Sequence, residues 1–536
     1  MGFWSKAARL LLCVCMLGGA ASCASPDEEQ ADEKITVRLA APLNSYIQDF
    51  DTNRYKRWLE EKTGLTIEMT WLPSEDAERI ARQQLQTGQG LPDAYVGFGN
   101  LSLFQNPNIQ HYGEQGLIIP LNGYIEEHGV NVKGLFAELP EHRIRELMTS
   151  ADGSVYFMPG FSSSTITRYQ RFMWVNRGWL DALGMEAPTT TGEFRDMLLA
   201  FRDGDPNGNG VSDEIPMAGT EDAYGKQPYD YLMNAFIYND SGNSYLVPEN
   251  GVLRFAPVNG AWRDGLAYLR GLFDEGLYSP LSFTQDDQQF KQLANDPRDI
   301  LGAFLSPGIT FTVLQNSPEI MARYVGIGPL AGPGGVRRST VFTALPKPNG
   351  VITSACKNPE EVFKLFDLML SEEACLMGRY GERGVDWDFA GAGEVSIYGT
   401  PATVRVIRQL WNTTQNKHLM QIAPYVSRPK FSGGVTWDGN TTDGEYMNAQ
   451  AALLYAGHDP KEYVPTLIFT PEEEAAVHEI RAGIEARVRE AAAGFVTGER
   501  DINNDAEWEG YLREFEDLGL AAFLERAQAA YDRVKG

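Results

Sequence analysis

Residues 35–41 read Ile-Thr-Val-Arg-Leu-Ala-Ala, residues 53–62 read Asn-Arg-Tyr-Lys-Arg-Trp-Leu-Glu-Glu-Lys, and residues 65–71 read Leu-Thr-Ile-Glu-Met-Thr-Trp. The first and third stretches alternate with the period of a half-buried strand. The second has the spacing of an amphipathic helix and stops before Gly64. Together they predict a β-α-β unit, and repeated units of this kind build α/β layers on parallel or mixed sheets.

The same alternation continues along the chain. Thr190 with Glu193 three residues on predicts a capped helix start, as does Thr470 before Pro471 and Glu473. Asn358 before Pro359, with Glu361 following, marks another. After Pro359 the residues Val362, Phe363, Leu365, Phe366, Leu368 and Met369 fall on one helical face, which reads as a buried core face. There is no internal repeat and no low-complexity tract.

Composition narrows the function. The 536 residues hold 46 basic and 72 acidic side chains, a formal charge of −26, with 43% hydrophobic and 22% charged positions. This is a folded protein long enough for two or three domains. Its charge repels phosphate backbones and anionic lipid headgroups, so no nucleic-acid partner is expected.

Lys6 and Arg9 precede the apolar run Leu10–Leu17 and the small residues Gly18 to Ser22. This predicts an export signal over 1–22, too short in its apolar part to span a bilayer. Cys23 stands where bacterial lipoprotein signals place the cysteine that becomes lipidated, although Ala20 occupies the position that usually holds Leu. Cleavage near Ser22 as an ordinary secreted protein is the alternative. Residues 23–34 then form a lipidated cysteine and an acidic tether, so the protein is expected on the extracytoplasmic face of the cell membrane, anchored only by lipid. Of five cysteines, only Cys356 and Cys375 remain in the fold, either as one bridge or as two buried thiols.

One stretch carries specific chemistry: Asp203-Gly204-Asp205-Pro206-Asn207-Gly208-Asn209-Gly210-Val211-Ser212-Asp213-Glu214. Short carboxylate and amide side chains at alternate positions, with glycines permitting the turn, suit a hard cation that takes six to eight oxygens. Two registers fit this calcium-loop pattern. One starts at Asp203 and uses Asp205, Asn207 and Glu214. The other, preferred, uses Asp205, Asn207, Asn209, the Val211 carbonyl, Asp213 and Glu214, with Gly210 at the sharp turn. The bland alternative is a solvated Asp/Asn/Gly turn. A bound Ca2+ would be structural, tying down the loop after the helix begun at Thr190.

Catalytic motifs are missing. The six histidines are scattered, and the chain has no His-Glu-x-x-His string, nucleophile elbow, phosphate loop or dinucleotide fingerprint. A carboxylate pair needs no motif, so a glycan-processing enzyme stays open as an alternative.

Several strings together resemble a known family, the solute-binding lipoproteins of ABC transporters, in the large oligosaccharide-binding group that includes the alginate-binding proteins. They are Leu91-Pro92-Asp93-Ala94, Gly116 to Leu121, Asp152 to Pro159, Asn176 to Gly184, Pro188 to Phe194, Asp205 to Pro216, Gly381 to Trp387 and Thr497-Gly498 with Trp508 and Tyr511. The similarity runs nearly end to end. It implies a type II periplasmic-binding-protein-like α/β fold with two lobes, each discontinuous in sequence: 34–160 with 340–400, and 165–335 with 400–536. It also implies calcium at the Asp205 to Glu214 loop, a monomer, no catalysis, and delivery of an oligosaccharide to permease subunits. A peptide- or signal-binding lipoprotein is the other alternative.

Sugars are recognised by aromatic faces and planar polar groups. Tyr46 in the loop after the first strand, Tyr156 before the first crossing between lobes, Trp411, and Trp437 in the glycine-rich stretch Gly433–Asn440 are the expected ligand contacts. Trp58, Trp179 and Trp508 read as packing residues. The net charge disfavours polyanionic ligands, and a local basic cleft using Arg168, Arg171 or Arg337 would overturn that.

Overall fold

The computed structural model describes residues 34–105, 108–314, 316–410 and 413–535. The export signal, Cys23, most of the tether and Trp411 lie outside the described residues. Ten strands form the two main sheets: β1 (Thr36–Pro42), β2 (Thr66–Leu72), β3 (Ala94–Val96), β4 (Met158–Ser162), β5 (Phe172–Asn176), β6 (Ile215–Met217), β7 (Leu301–Ser306), β8 (Tyr324–Ile327), β9 (Lys347–Ile352) and β10 (Tyr425–Ser427). The helices that carry or border the functional residues are α1 (Arg54–Thr63), α2 (Thr191–Asp203), α3 (Pro359–Met369), α4 (Glu372–Tyr380), α5 (Gly444–Tyr455) and α6 (Pro471–Thr497).

The opening β-α-β unit forms as its sequence dictates. The Asn53 side chain accepts from the Tyr55 and Lys56 amides and starts α1, and Gly64, at φ 73°, ends it. Tyr55 and Leu59 face inward, and β1 pairs in parallel with β2 from Thr36 opposite Thr66 to Pro42 opposite Leu72. Both capping boxes close: Thr190 Oγ1 accepts from Glu193 N at 3.1 Å, and Thr470 does the same for Glu473 at 3.2 Å. α3 begins at Pro359, yet Asn358 makes no side-chain cap bond. Proline at the first position and two glutamates in the first turn suffice there.

The first sheet has strand order β10-β4-β9-β3-β1-β2 and the second β8-β5-β7-β6. Each lies in its own apolar core. Val37, Leu39, Ile67, Phe98, Phe161, Val351, Phe363 and Val426 belong to the first, while Trp174, Trp179, Phe201, Trp262, Phe304, Val488 and Tyr511 belong to the second. The molecule is therefore a two-lobed α/β protein with discontinuous lobes. The lobe boundary expected near residue 400 is corrected: Leu419, Ile422 and Val426 pack into the first core, and β10 adds to the first sheet with Tyr425 opposite Gly160. The chain returns to the first lobe over Leu419–Ser427, where β10 completes the sheet beyond β4. A third, small core was not foreseen. It joins Leu376 and Tyr380 of α4, Trp387, Ile397, Val404, Phe431 and Val435 to Ala449 of α5.

The two thiols are separate. Cys356 is half-buried, and Cys375 is buried with its sulfur accepting from Val426 N at 3.3 Å. Among the described residues, no helix is long and apolar enough to cross a membrane.

Candidate functional site: the cleft between the lobes

Strand direction places the cleft. In the first sheet β1, β2, β3, β4 and β10 run parallel and β9 antiparallel, so the chain leaves β4, enters β9 and leaves β10 at one common edge. In the second sheet Met173 at the start of β5 pairs with Leu305 near the end of β7 and with Ile327 at the end of β8. The connections therefore bring the C-terminal ends of β1, β2 and β3 toward those of β6 and β7. Ligands of open α/β sheets sit beyond such strand ends.

Large rings are left exposed at these ends. Tyr46 follows β1 and is 37% exposed, Tyr224 follows β6 at 54%, and Phe311 follows β7 at 60%. Trp437 is 42% exposed, and its other face is covered by Tyr446, parallel within 6° at a centroid distance of 4.6 Å. Beneath Tyr224 lies the buried Arg171. Its guanidinium is 5.8 Å from the Tyr224 ring centroid and 5.1 Å from that of Phe342, and its Nη2 donates to Ser241 Oγ at 2.6 Å. Asp230 Oδ2 is 3.4 Å from Nη1, while Nε and Nη1 have no hydrogen-bond acceptor. Glu221, four residues beyond β6, has its carboxyl pushed up to about 7 by burial and the nearby Asp230, against the opposing charge of Arg489.

A cavity of about 350 Å³ opens between the lobes. It is bounded by Gly99 and Gln105 after β3, by Thr149 and Phe157 before β4, by Leu345 and Lys347 at the start of β9, by Phe469 before α6 and by Arg481 within α6. Arg481 is held by Glu474, with Nη2 at 2.6 Å, and lies over the Phe469 ring. Apolar rings with a few convergent polar groups at a lobe junction are the common make-up of a small-ligand pocket.

The acidic loop after α2 is a separate site. Asp205 sits at φ 46°, and its carboxylate accepts from Gly210 N at 3.2 Å. The Asn207 and Asn209 amides both donate to Asp213 Oδ1, at 3.3 and 2.9 Å, and Val211 N donates to Asn209 Oδ1 at 2.7 Å. Glu214 Oε1 is buried with no hydrogen-bond partner. Asp203 is turned away, its carboxylate held by Arg202 at 2.7 and 2.8 Å, which disfavours the register beginning there. As the side chains stand, no group of three or more His, Cys, Asp or Glu among the described residues is gathered for a metal. The donor set itself is all oxygen, and the orphaned Glu214 oxygen and two amides reversible by rotation fit a hard cation.

The sequence-expected ligand residues divide. Both Tyr46, beyond β1, and Trp437, on a loop beside the third core, are partly exposed. Tyr156 is corrected: it is 4% exposed, its hydroxyl donates to Asp152 at 2.6 Å, and its ring covers Gly113 inside the first core. It precedes β4 on the far side from the strand ends. Of the three arginines, Arg168 is paired with Asp459 and the buried Arg171 has Asp230 at 3.4 Å, while Arg337 donates to the Pro329 carbonyl. Sequence reasoning missed Tyr224 and Phe311. The signal was available, since each follows a short strand as Tyr46 does.

The fold is that of a two-lobed solute-binding protein. Residues 39–374 match the bacterial extracellular solute-binding proteins, and the chain belongs to that family. A relative, the fructooligosaccharide ABC transporter substrate-binding protein FusA of Streptococcus pneumoniae, is 27% identical over 498 residues, covering 89% of this chain and 86% of FusA. The solved structure of FusA with kestose superposes with a TM-score of 0.75 over 93% of this chain and 99% of that one, at 22% identity. The alginate-binding protein AlgQ2, solved without calcium ion, shares the fold at a TM-score of 0.63 and 19% identity, over 94% and 98% of the two chains.

Proposed function

We propose that this chain is the extracytoplasmic binding subunit of an ABC transporter, which captures an oligosaccharide between its lobes and presents it to membrane permease subunits. One observation carries this reading: exposed rings follow strands of both sheets, Tyr46 after β1 of the first and Tyr224 and Phe311 after β6 and β7 of the second. Aromatic faces bind the C–H faces of sugar rings, and a ligand that touches both lobes only when they are shut stabilises the shut form. The substrate of FusA supports an oligosaccharide as cargo. Tyr46 and Trp437 are contacts in this reading, Trp411 stays a candidate, and catalysis has no part. The receptor is a monomer, exported by residues 1–22 and anchored through a lipid on Cys23.

Calcium belongs to the same reading as a structural ion. Asp205, Asn207, Asn209, the Val211 carbonyl, Asp213 and Glu214 would hold it, and it would supply charge neutralisation for the three carboxylates. The loop abuts the start of β7, where Ile215 N bonds Ile300 O at 2.8 Å, so ordering it would stiffen the second sheet.

The test is a thermal melt of residues 24–536 against kestose, trigalacturonate, a milk-type tetrasaccharide and a pentapeptide. Ligand at 100 times its Kd adds about 2.7 kcal/mol. A shift with one glycan, and the glycan recovered intact, is the expected result. A shift with the peptide alone, or consumption of the glycan, would replace this reading with one of the other two classes.

A further inference from the structure

We propose that Arg379 of α4 and Glu445 of α5 form a latch between the lobes, closed beside the small third core, that favours the shut cleft and thereby sets the affinity for the captured solute. The proposal rests on the receptor reading above and deepens it. Both are positioning residues, acting through the equilibrium between open and shut lobes.

The lobes are joined three times, by residues 163–171, 328–346 and 428–443. The third connection does not run free, since Phe431 and Val435 on it belong to the third core. That core is built between two helices, and each helix is rooted in a different lobe by its other face. On α4, Ala374 and Cys375 lie in the first core, and the Cys375 sulfur accepts from Val426 N of β10. Leu376 and Tyr380, four residues apart on one face, enter the third core. On α5, Met447, Ala451 and Tyr455 lie in the second core, while Ala449 lies in the third and Tyr446 packs against it. At about 3.6 residues per turn, Glu445, Tyr446, Ala449 and Gln450 share the face opposite to Met447, Ala451 and Tyr455.

Polar contacts fasten these facing sides together. Arg379 Nη2 donates to Glu445 Oε1 at 3.1 Å, with the side chains only 16% and 19% exposed, and Gln450 Nε2 donates to Ile397 O at 2.6 Å. Opposite charges withdrawn that far from water attract more strongly than a surface pair.

The latch joins the two edges of the cleft. Three residues beyond Arg379, Glu382 pairs with Arg54, which opens α1 after β1. One residue before Glu445, Gly444 meets the short turn Ile309–Phe311 that follows β7, so closely that a Cβ there would lie 2.4 Å from Thr310 Cγ2. Asn448 Oδ1 also accepts from Ile309 N of that turn at 2.8 Å. Arg379 is thus tied to the strand ends of the first lobe and Glu445 to those of the second. Rotating the lobes apart about their connections carries α5 away from α4 and parts the pair, so the pair favours the shut arrangement. A solute that needs the shut form binds with an apparent Kd equal to its intrinsic Kd divided by the fraction shut. The closed latch raises that fraction and slows release.

The experiment is small-angle X-ray scattering of residues 24–536 without ligand, beside a melting curve and sugar-binding kinetics. It compares wild type, Glu445→Gln, Gln450→Ala and the exchanged pair Arg379→Glu with Glu445→Arg. Without ligand, Glu445→Gln should show a larger radius of gyration than wild type, and the exchanged pair should reverse the increase. For whichever of kestose, trigalacturonate and a milk-type tetrasaccharide wild type binds, Glu445→Gln should raise Kd by about fivefold or more, carried by koff. Gln450→Ala should act in the same direction. Saturation with that sugar should bring each variant to the scattering curve of liganded wild type, which a mere loss of packing would not do. An unchanged ligand-free radius in both Glu445→Gln and Gln450→Ala, or tighter binding by Glu445→Gln, refutes the latch while the oligosaccharide reading stands. If wild type binds none of the three sugars, the oligosaccharide reading fails, and the ligand-free radius still decides the latch: an increase supports it and no increase refutes it.

Discussion

Glu221→Gln should remove a pH-dependent loss of stability from the second lobe. The carboxyl is enclosed beyond β6 with Asp230 nearby, and burial together with that like charge raises its pKa from 4.5 to about 7, Arg489 opposing. The protonated form is favoured in the folded state. Between pH 4.5 and 7 the folded chain binds more protons than the unfolded one, so stability falls as pH rises through that window. At 1.36 kcal/mol per pH unit the full difference is about 3 kcal/mol, an upper bound because the side chain keeps some solvent contact. Glutamine keeps the shape and carries no charge. Urea unfolding monitored by tryptophan emission and far-ultraviolet dichroism should show the variant level with wild type at pH 5 and more stable by about 1 to 3 kcal/mol at pH 8. Parallel pH dependence in the two proteins, or a variant less stable at pH 8, would refute the argument.

Chelation should lower the melting temperature reversibly, and Asp205→Ala should abolish the difference between chelated and calcium-loaded protein, as read by differential scanning fluorimetry. Asp386 is fully buried, with Lys417 Nζ at 2.5 Å and the Glu382 amide on Oδ2 at 3.0 Å. Asp386→Ala should therefore destabilise the third core by about 3 kcal/mol, because Lys417 retains some solvent and pays less than a fully buried partner. Thr190→Ala removes one half of a closed capping box and should cost about 1 kcal/mol by urea unfolding. His418 is buried, and its pKa is lowered to about 4 by that burial first and by the positive charge of Arg379 second. The folded form disfavours its protonation, so His418→Gln should flatten the loss of stability between pH 6.5 and 4.

Much of the fold was legible because its signals are local. Asn53 and Gly64 bracket α1, the Thr190 and Thr470 boxes close, and the strands around them fall within one residue of the alternating stretches. These features depend on neighbours three or four residues apart. The cleft was only partly legible. Tyr46 was reached by asking which aromatic follows a strand, and the same question put to β6 and β7 leads to Tyr224 and Phe311. Tyr156 misled because it too borders a strand, but it precedes β4, and the end where a strand begins lies away from the cleft.

The sequence by itself determined an acidic α/β protein with an oxygen-rich loop after a capped helix, since charge, periodicity and turn chemistry are written in adjacent residues. Tertiary structure alone decided the rest. The chain returns to the first lobe at β10 because that strand finds its partner in β4, more than 250 residues earlier. A third core exists because α4 and α5 meet across the loop that carries Trp437. Arg171 lies beneath Tyr224, and Asn448 grips the Phe311 turn, through contacts between segments whose separation along the chain carries no periodic signal. Such pairings are set by which surfaces bury one another when the lobes form.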